Sequence, residues 1–233
     1  MKEIKKQRES SYMPEPMFTK TYFNTYWANP EKGVPLYWSS KSIKKPPFNP
    51  RSFPSSRTYF DVQFNCVNVG TGVAKNVELV WDFDIKKFIE ALEELDKEKI
   101  FRFTINGNEF IQIYSKVLDH LSIIRIEQST PIEFKFILPF GISDSPSFVR
   151  VPIAYIELYS IFLYLFTHES SENSSINYED IPPLKGRVSY YDIESELYCA
   201  NFFASFGFSS LSGKVEGENW SKAAKIEVDF NEI

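Results

Sequence analysis

The segment from Phe60 to Asp84 constrains the fold of this chain more strongly than any other stretch of the sequence. Apolar and polar residues alternate from 60 to 66, and they alternate again from 77 to 83 after a break that contains Gly70 and Gly72. A period of two residues indicates a strand with one buried face. The segment therefore predicts two half-buried strands joined as a hairpin, in which the glycines supply the positive φ values that the loop requires.

Further strand and hairpin signals follow along the chain. Asn106-Gly107 separates two apolar runs and favours a hairpin turn, because both residues tolerate positive φ. Strands are also predicted at 17–27, 132–138, 184–191, 197–206 and 224–230. The sequence holds 22 Phe and 13 Tyr against only 9 Gly. Aromatic side chains suit the pleated surfaces and large cores of β proteins, so the composition supports the same fold class.

Two segments have the character of helices. Apolar residues recur at three- and four-residue spacing in 85–95, and Asp84 precedes them in the position of an amino-terminal cap. The longest apolar run, Val151–Thr167, contains Pro152 and Glu157 and is shorter than the roughly 20 residues of a membrane span. It predicts either a buried helix or a pair of buried strands.

Together these patterns predict a mostly-β chain, an immunoglobulin-like antiparallel β-sandwich with one or two helices at its edge. Residues 1–58 are predicted to form an amino-terminal arm, because 28–58 is rich in proline with aromatic and basic residues between the prolines. Residues 59–233 are predicted to form a single sandwich domain.

Charge is distributed unevenly between these two parts. Residues 1–58 carry eleven Lys or Arg and four Glu, whereas residues 59–233 carry fifteen basic and 27 acidic residues. The net charges are therefore +7 for the arm and −12 for the remainder. Such an arm either meets an anionic surface, such as phospholipid headgroups, or folds back on its own acidic body.

The two cysteines, Cys66 and Cys199, each occupy an apolar strand position. Two cysteines without a secretory signal do not define a disulfide framework. We therefore expect two buried thiols in a reducing compartment, with a bridge between them only if their strands face each other.

No motif in the sequence predicts catalysis. The Gly-Thr-Gly run at 70–72 lacks the third glycine and the following helix of a dinucleotide site. Asp82 and Asp84 are interpreted as a solvated acidic edge, and His120 and His168 have no partners at zinc-ligand spacing. We expect no catalytic residues, no metal site, no cofactor and no nucleic-acid partner.

Tyr190 and Tyr191, followed by Tyr198, form another patterned segment. The simpler interpretation is a hairpin with 192–196 as its turn. The alternative is an exposed tyrosine patch that contacts a sugar or a partner protein.

Four short segments carry a resemblance to a known group of proteins. They are Gln7-Arg8-Glu9-Ser10-Ser11-Tyr12, the run NVGTGVAKNV at 68–77, Pro182-Pro183-Leu184 and Tyr191-Asp192-Ile193. In this order they resemble a loose group of uncharacterised bacterial and phage-associated proteins. The resemblance implies an amino-terminal membrane anchor, a short helix and a carboxy-terminal immunoglobulin-like β-sandwich, without catalytic residues. Two departures from this pattern are expected. The chain is expected to be either a soluble member of the group or a member whose anchor has been removed, and its hairpin is expected to differ because Glu194-Ser195-Glu196 stands where the group often has a glycine-containing turn.

The leading hypothesis is a non-enzymatic interaction module that binds a protein partner or a membrane-proximal surface through the basic loop 32–57. The predicted binding residues are Tyr37, Trp38, Lys41, Lys44, Lys45, Arg51 and Arg57. One alternative is a carbohydrate-binding module that presents Trp27, Tyr37 and Trp38 to sugar faces, and another is an enzyme of unknown type. We expect a cytoplasmic location, or association with a membrane through an amino-terminal anchor that has been removed.

Overall fold

The computed structural model describes residues 12–27, 37–40, 62–107, 109–116, 119–127, 130–143, 145–169, 181–216 and 219–233. Within these ranges the chain forms thirteen strands and two helices. The strands are β1 (Pro16–Phe18), β2 (Thr21–Trp27), β3 (Tyr37–Ser39), β4 (Gln63–Asn68), β5 (Ala74–Asp82), β6 (Phe101–Asn106), β7 (Phe110–Ser115), β8 (His120–Arg125), β9 (Ile132–Ile137), β10 (Ser147–Arg150), β11 (Leu184–Tyr191), β12 (Leu197–Glu216) and β13 (Asn219–Glu232). The helices are α1 (Ile85–Leu95) and α2 (Ile153–Glu169).

These strands assemble into three sheets, and the pairings between them are antiparallel. The largest sheet has the order β3-β2-β13-β12-β11-β5-β9 and is curled. A second sheet has the order β1-β4-β10, and a third has the order β6-β7-β8. The prediction of a mostly-β, antiparallel, sandwich-like fold is confirmed.

Two of the predicted hairpins are present. β6 and β7 flank Gly107, whose φ is 60°. β11 and β12 are joined by a turn at Asp192, whose carboxylate accepts the backbone N–H groups of Glu194 and Glu196 at 2.8 and 2.9 Å. The last two strands are longer than the sequence predicts, and the final strand begins at Asn219.

β4 and β5 do not form the hairpin predicted for them. β4 pairs with β1 and β10, whereas β5 pairs with β11 and β9, so the intervening loop passes from one sheet to another. Gly70 and Gly72 lie against the segment before β1, where an added Cβ would overlap the carbonyl oxygen of Met13 or Tyr12. Neither glycine has a positive φ. The glycines therefore permit the close approach of two backbones, and the prediction of a positive-φ turn is wrong.

Helix α1 lies between two aspartates. Asp84 caps its start, as predicted, and accepts the backbone N–H of Lys87 at 3.0 Å. Asp96 follows the last helical residue, and its two carboxylate oxygens accept the N–H groups of Ile100 and Phe101 at 2.8 and 2.6 Å. These bonds satisfy buried donors and fix the turn from α1 into β6.

The apolar run at 151–167 forms a buried helix, α2, and not a pair of buried strands. Every side chain from 154 to 165 is buried, as is typical of a helix at the centre of a core. The hydroxyl groups of Tyr155 and Tyr159 donate to the backbone oxygens of Pro182 and Phe206 at 3.1 and 2.9 Å. Neither described helix has both the length and the apolar character that crossing a bilayer requires.

Candidate functional site

The structure describes only part of the predicted binding region. Lys41, Lys44, Lys45, Arg51 and Arg57 lie outside the described residues. Tyr37 lies on β3 and Trp27 on β2, and for both residues the description is limited to the backbone. Trp38 is thus the one member of the region whose side chain is placed.

Trp38 is a core residue. Its exposed fraction is 0%, and its indole Nε1–H donates to the Oγ atom of Ser160 on α2 at 3.0 Å. The indole ring also lies 6.1 Å from the ring of Phe23 and 6.0 Å from that of Tyr159, measured between centroids. A ring enclosed in this way cannot contact a partner or a sugar, so the assignment of Trp38 to a binding surface is corrected.

The two cysteines are free thiols in different environments, and no bridge joins them. Cys66 faces the core from β4, and burial raises the pKa of its thiol to about 12. Cys199 is exposed, so the prediction of a second buried thiol is wrong. Strand alternation is the cause, because Phe202 and Ala204 are buried on β12 and Cys199 is on the opposite face.

The polar residues considered for catalysis do not form a site in the described part of the chain. Asp82 is exposed, and Asp84 serves as the cap of α1. The side chains of His120 and His168 lie outside the description. Among the described residues, no group of three or more His, Cys, Asp or Glu is placed to hold a metal ion.

Asn68 organises the junction between β1, β4 and β9. The residue is 1% exposed, and its side-chain amide makes four hydrogen bonds. The Oδ1 atom accepts the backbone N–H groups of Glu15 at 2.8 Å and Gly70 at 3.1 Å. The Nδ2 group donates to the backbone oxygens of Gly72 at 2.7 Å and Ile137 at 3.1 Å. All polar positions of this buried amide are therefore satisfied.

An exposed apolar patch surrounds this junction. On the outer face of the β1-β4-β10 sheet, Met17 is paired with Val67, and Phe148 is paired with Asn65 one step along the same face. We call this surface the outer patch; its members are Met17, Val67, Val69, Phe136, Phe140 and Phe148. Apart from the half-buried Val67, their exposed fractions lie between 47 and 57%.

The chain after β9 completes the outer patch. The backbone N–H of Phe140 donates to the backbone oxygen of Asn68 at 2.8 Å, which holds Phe140 beside Val69. Phe136 and Phe140 border a cavity of about 130 Å³ together with Val67. The described residues that line this cavity carry no charge and include three serines at 143, 145 and 147. The one sequence feature that could have indicated the outer patch was Phe140, a large apolar residue between a proline and a glycine.

The tyrosine segment forms a second concave feature. Tyr190 and Tyr198 stack with ring centroids 5.5 Å apart, and the hydroxyl of Tyr190 donates to the backbone oxygen of Pro14 at 3.1 Å. The predicted hairpin is therefore present, and Tyr190 is buried within it. The pair lines a groove between residues 13–18 and the ends of β11, β12 and β13, which we call the aromatic groove.

The fold and these two surfaces define a mostly-β, sandwich-like chain with one buried helix, an exposed apolar patch and an aromatic groove. Comparisons with protein-family models, with curated proteins and with solved structures found no match to the chain.

Proposed function

We propose that this protein is a non-enzymatic interaction module and that the outer patch binds a protein partner. The observation that supports this proposal is the grouping of several half-exposed large apolar side chains around Asn68. Exposed apolar patches with polar surroundings are characteristic of interaction sites. Phe and Met are also enriched in the cores of protein interfaces.

The chemistry of the outer patch favours a protein over a lipid headgroup surface. The described residues that line its cavity are apolar residues, one amide and serines, without charge. Attraction to an anionic membrane depends on clustered Lys and Arg, and the basic loop 32–57 lies mostly outside the described residues. A partner with an apolar surface of its own is the better complement to this patch.

The contribution of the outer patch to the free energy of binding follows from the apolar area that a partner would cover. Complete burial of an exposed Phe side chain contributes about 1.5–3 kcal/mol. Phe140 and Phe148 are about half exposed, so covering either ring contributes roughly half of that amount. Replacing either residue by serine should therefore weaken partner binding about three- to tenfold, and the double variant should weaken it about tenfold or more.

The test is affinity purification of the full chain from its native host, with quantitative comparison of the recovered proteins. The variant Phe140→Ser/Phe148→Ser should lose a protein that the parent chain recovers. Ile123→Ser is the matched control, since Ile123 is 60% exposed on β8, in a different sheet. Equal recovery of every protein by the parent, the double variant and the control contradicts the proposal. Co-sedimentation with anionic lipid vesicles that is lost only in the double variant assigns the patch to a membrane instead.

A further inference from the structure

The aromatic groove has the size of a small-molecule site. Its volume is about 330 Å³, at the lower end of the range of roughly 300–1,000 Å³ for ligand pockets. One wall is formed by residues 13–18, and the other by the ends of β11, β12 and β13. The groove thus lies where the small sheet meets an end of the large curled sheet.

Aromatic rings form much of its interior. Phe18 stacks on Phe230 with centroids 5.1 Å apart, and it lies 4.5 Å from the ring of Phe202. Tyr190 and Tyr198 supply a second stacked pair. Faces of aromatic rings carry partial negative charge, so a ring face that borders the groove and is not covered by stacking attracts a cation.

Two carboxylates border the same groove from opposite walls. Glu15 precedes β1, and Glu232 lies near the end of β13 opposite Phe202. Both are exposed, and neither forms an ion pair within the described part of the chain. The described lining contains no Lys, Arg or His. Burial and the negative charges of neighbours that include Glu15 and Glu232 raise the pKa of Tyr190 to about 12.

We propose that the aromatic groove binds a small organic cation, an alkylated ammonium compound. The alkyl groups would contact the rings of the interior, while Glu15 and Glu232 would compensate the charge. The same carboxylates disfavour anionic ligands. A hard metal ion such as Ca²⁺ requires about six to eight oxygen ligands, which two carboxylates on opposite walls do not provide. This proposal does not depend on partner binding by the outer patch, although the two surfaces adjoin and share Met17.

Methionine methyl groups allow the test to be made at the groove itself. The sequence contains three methionines, and two of them, Met13 and Met17, border the groove. Met17 also belongs to the outer patch, so Met13 is the reporter specific to the groove. Methyl-labelled methionine NMR of the full chain should show these two resonances shift on addition of choline. The neutral isostere of choline, 3,3-dimethylbutan-1-ol, should bind about tenfold more weakly, because it lacks the positive charge that interacts with the rings and the carboxylates. Equal affinity for both compounds overturns the proposal, as does the absence of any shift with choline.

Variants separate the contribution of the carboxylates from the contribution of the aromatic rings. The double variant Glu15→Gln/Glu232→Gln should weaken choline binding about tenfold or more, and Tyr198→Leu should weaken it by a similar factor. Glu194→Gln is the matched control, because Glu194 is an exposed carboxylate of the neighbouring turn that does not line the groove. Unchanged affinity in the double variant overturns the proposal. A trimethyllysine peptide that binds at least tenfold more tightly than choline also overturns it, since the occupant would then be a partner's side chain.

Discussion

The substitution Asn68→Ala should destabilise the fold more than any exposed substitution discussed above. It removes all four hydrogen bonds of a side chain that is 1% exposed. Each such bond contributes about 0.5–1.5 kcal/mol net, so the free energy of unfolding should fall by about 4 kcal/mol. The loss is this large because two N–H groups and two carbonyl groups of three different segments lose their partner together.

Asn65→Ala provides the matched control on the same strand. Asn65 is only half-buried and faces the opposite side of β4, so its loss should change the free energy of unfolding by about 0.5 kcal/mol or less. Urea denaturation followed by tryptophan fluorescence reports both values, because Trp38 and Trp81 are buried. A loss below about 1 kcal/mol in Asn68→Ala would refute the assignment of this residue as the polar centre of the junction.

Asn68→Asp tests whether the side-chain Nδ2 group is needed as a hydrogen-bond donor. The aspartate keeps an acceptor for the N–H groups of Glu15 and Gly70, but its second oxygen faces the carbonyl oxygens of Gly72 and Ile137. The ionised form is therefore disfavoured in the folded state, and its folded pKa should exceed the unfolded value of about 3.9. A carboxyl group whose pKa is higher in the folded state contributes stability that is lost as pH rises from the unfolded pKa through the folded pKa. The variant should be less stable at neutral pH than near pH 4, and an opposite trend would contradict the hydrogen-bond assignment.

Four further predictions concern individual residues. Ser160→Ala leaves the buried indole N–H on β3 without its acceptor and should lower the free energy of unfolding by about 1–3 kcal/mol in chemical denaturation. Gly70→Ala should destabilise by more than about 1 kcal/mol, whereas Gly141→Ala, which has open space around its Cβ position, should be nearly neutral. A thiol reagent should modify only Cys199 in the native protein. Because burial raises the pKa of Cys66 from 9.0 to about 12, the thiol's contribution to stability should be lost as pH rises through this range, and Cys66→Ala should reduce that dependence.

Local patterns in the sequence predict the elements of this fold well. The period-two runs locate β4, β5, β9 and β11, and the apolar spacing in 85–95 locates α1 together with its cap at Asp84. The Asn-Gly dipeptide locates the β6-β7 hairpin. These predictions succeed because each depends on a pattern of residue types that are close in sequence.

Contacts between distant segments explain the predictions that are wrong. The spacing of Gly70 and Gly72 is compatible with a hairpin, and only the position of the chain before β1 shows why these residues lack a side chain. Trp38 resembles a surface aromatic in a basic loop, yet its partner Ser160 is more than a hundred residues away. The outer patch combines residues from the beginning and the middle of the chain, and the aromatic groove combines residues from its beginning and its last fifth. No local period encodes such groupings.

Asn68 connects the two proposed surfaces and therefore determines how they should be tested. Its side chain holds the backbone of Glu15, at the rim of the aromatic groove, and its backbone oxygen accepts the N–H of Phe140, in the outer patch. A substitution at Asn68 would displace both surfaces, so a loss of binding in that variant would not distinguish them. The exposed side chains of Glu15 and Phe140 can be altered while the backbone bonds to Asn68 remain. Loss of cation binding without loss of partner binding, and the reverse, would therefore identify two functionally distinct sites that adjoin at Met17.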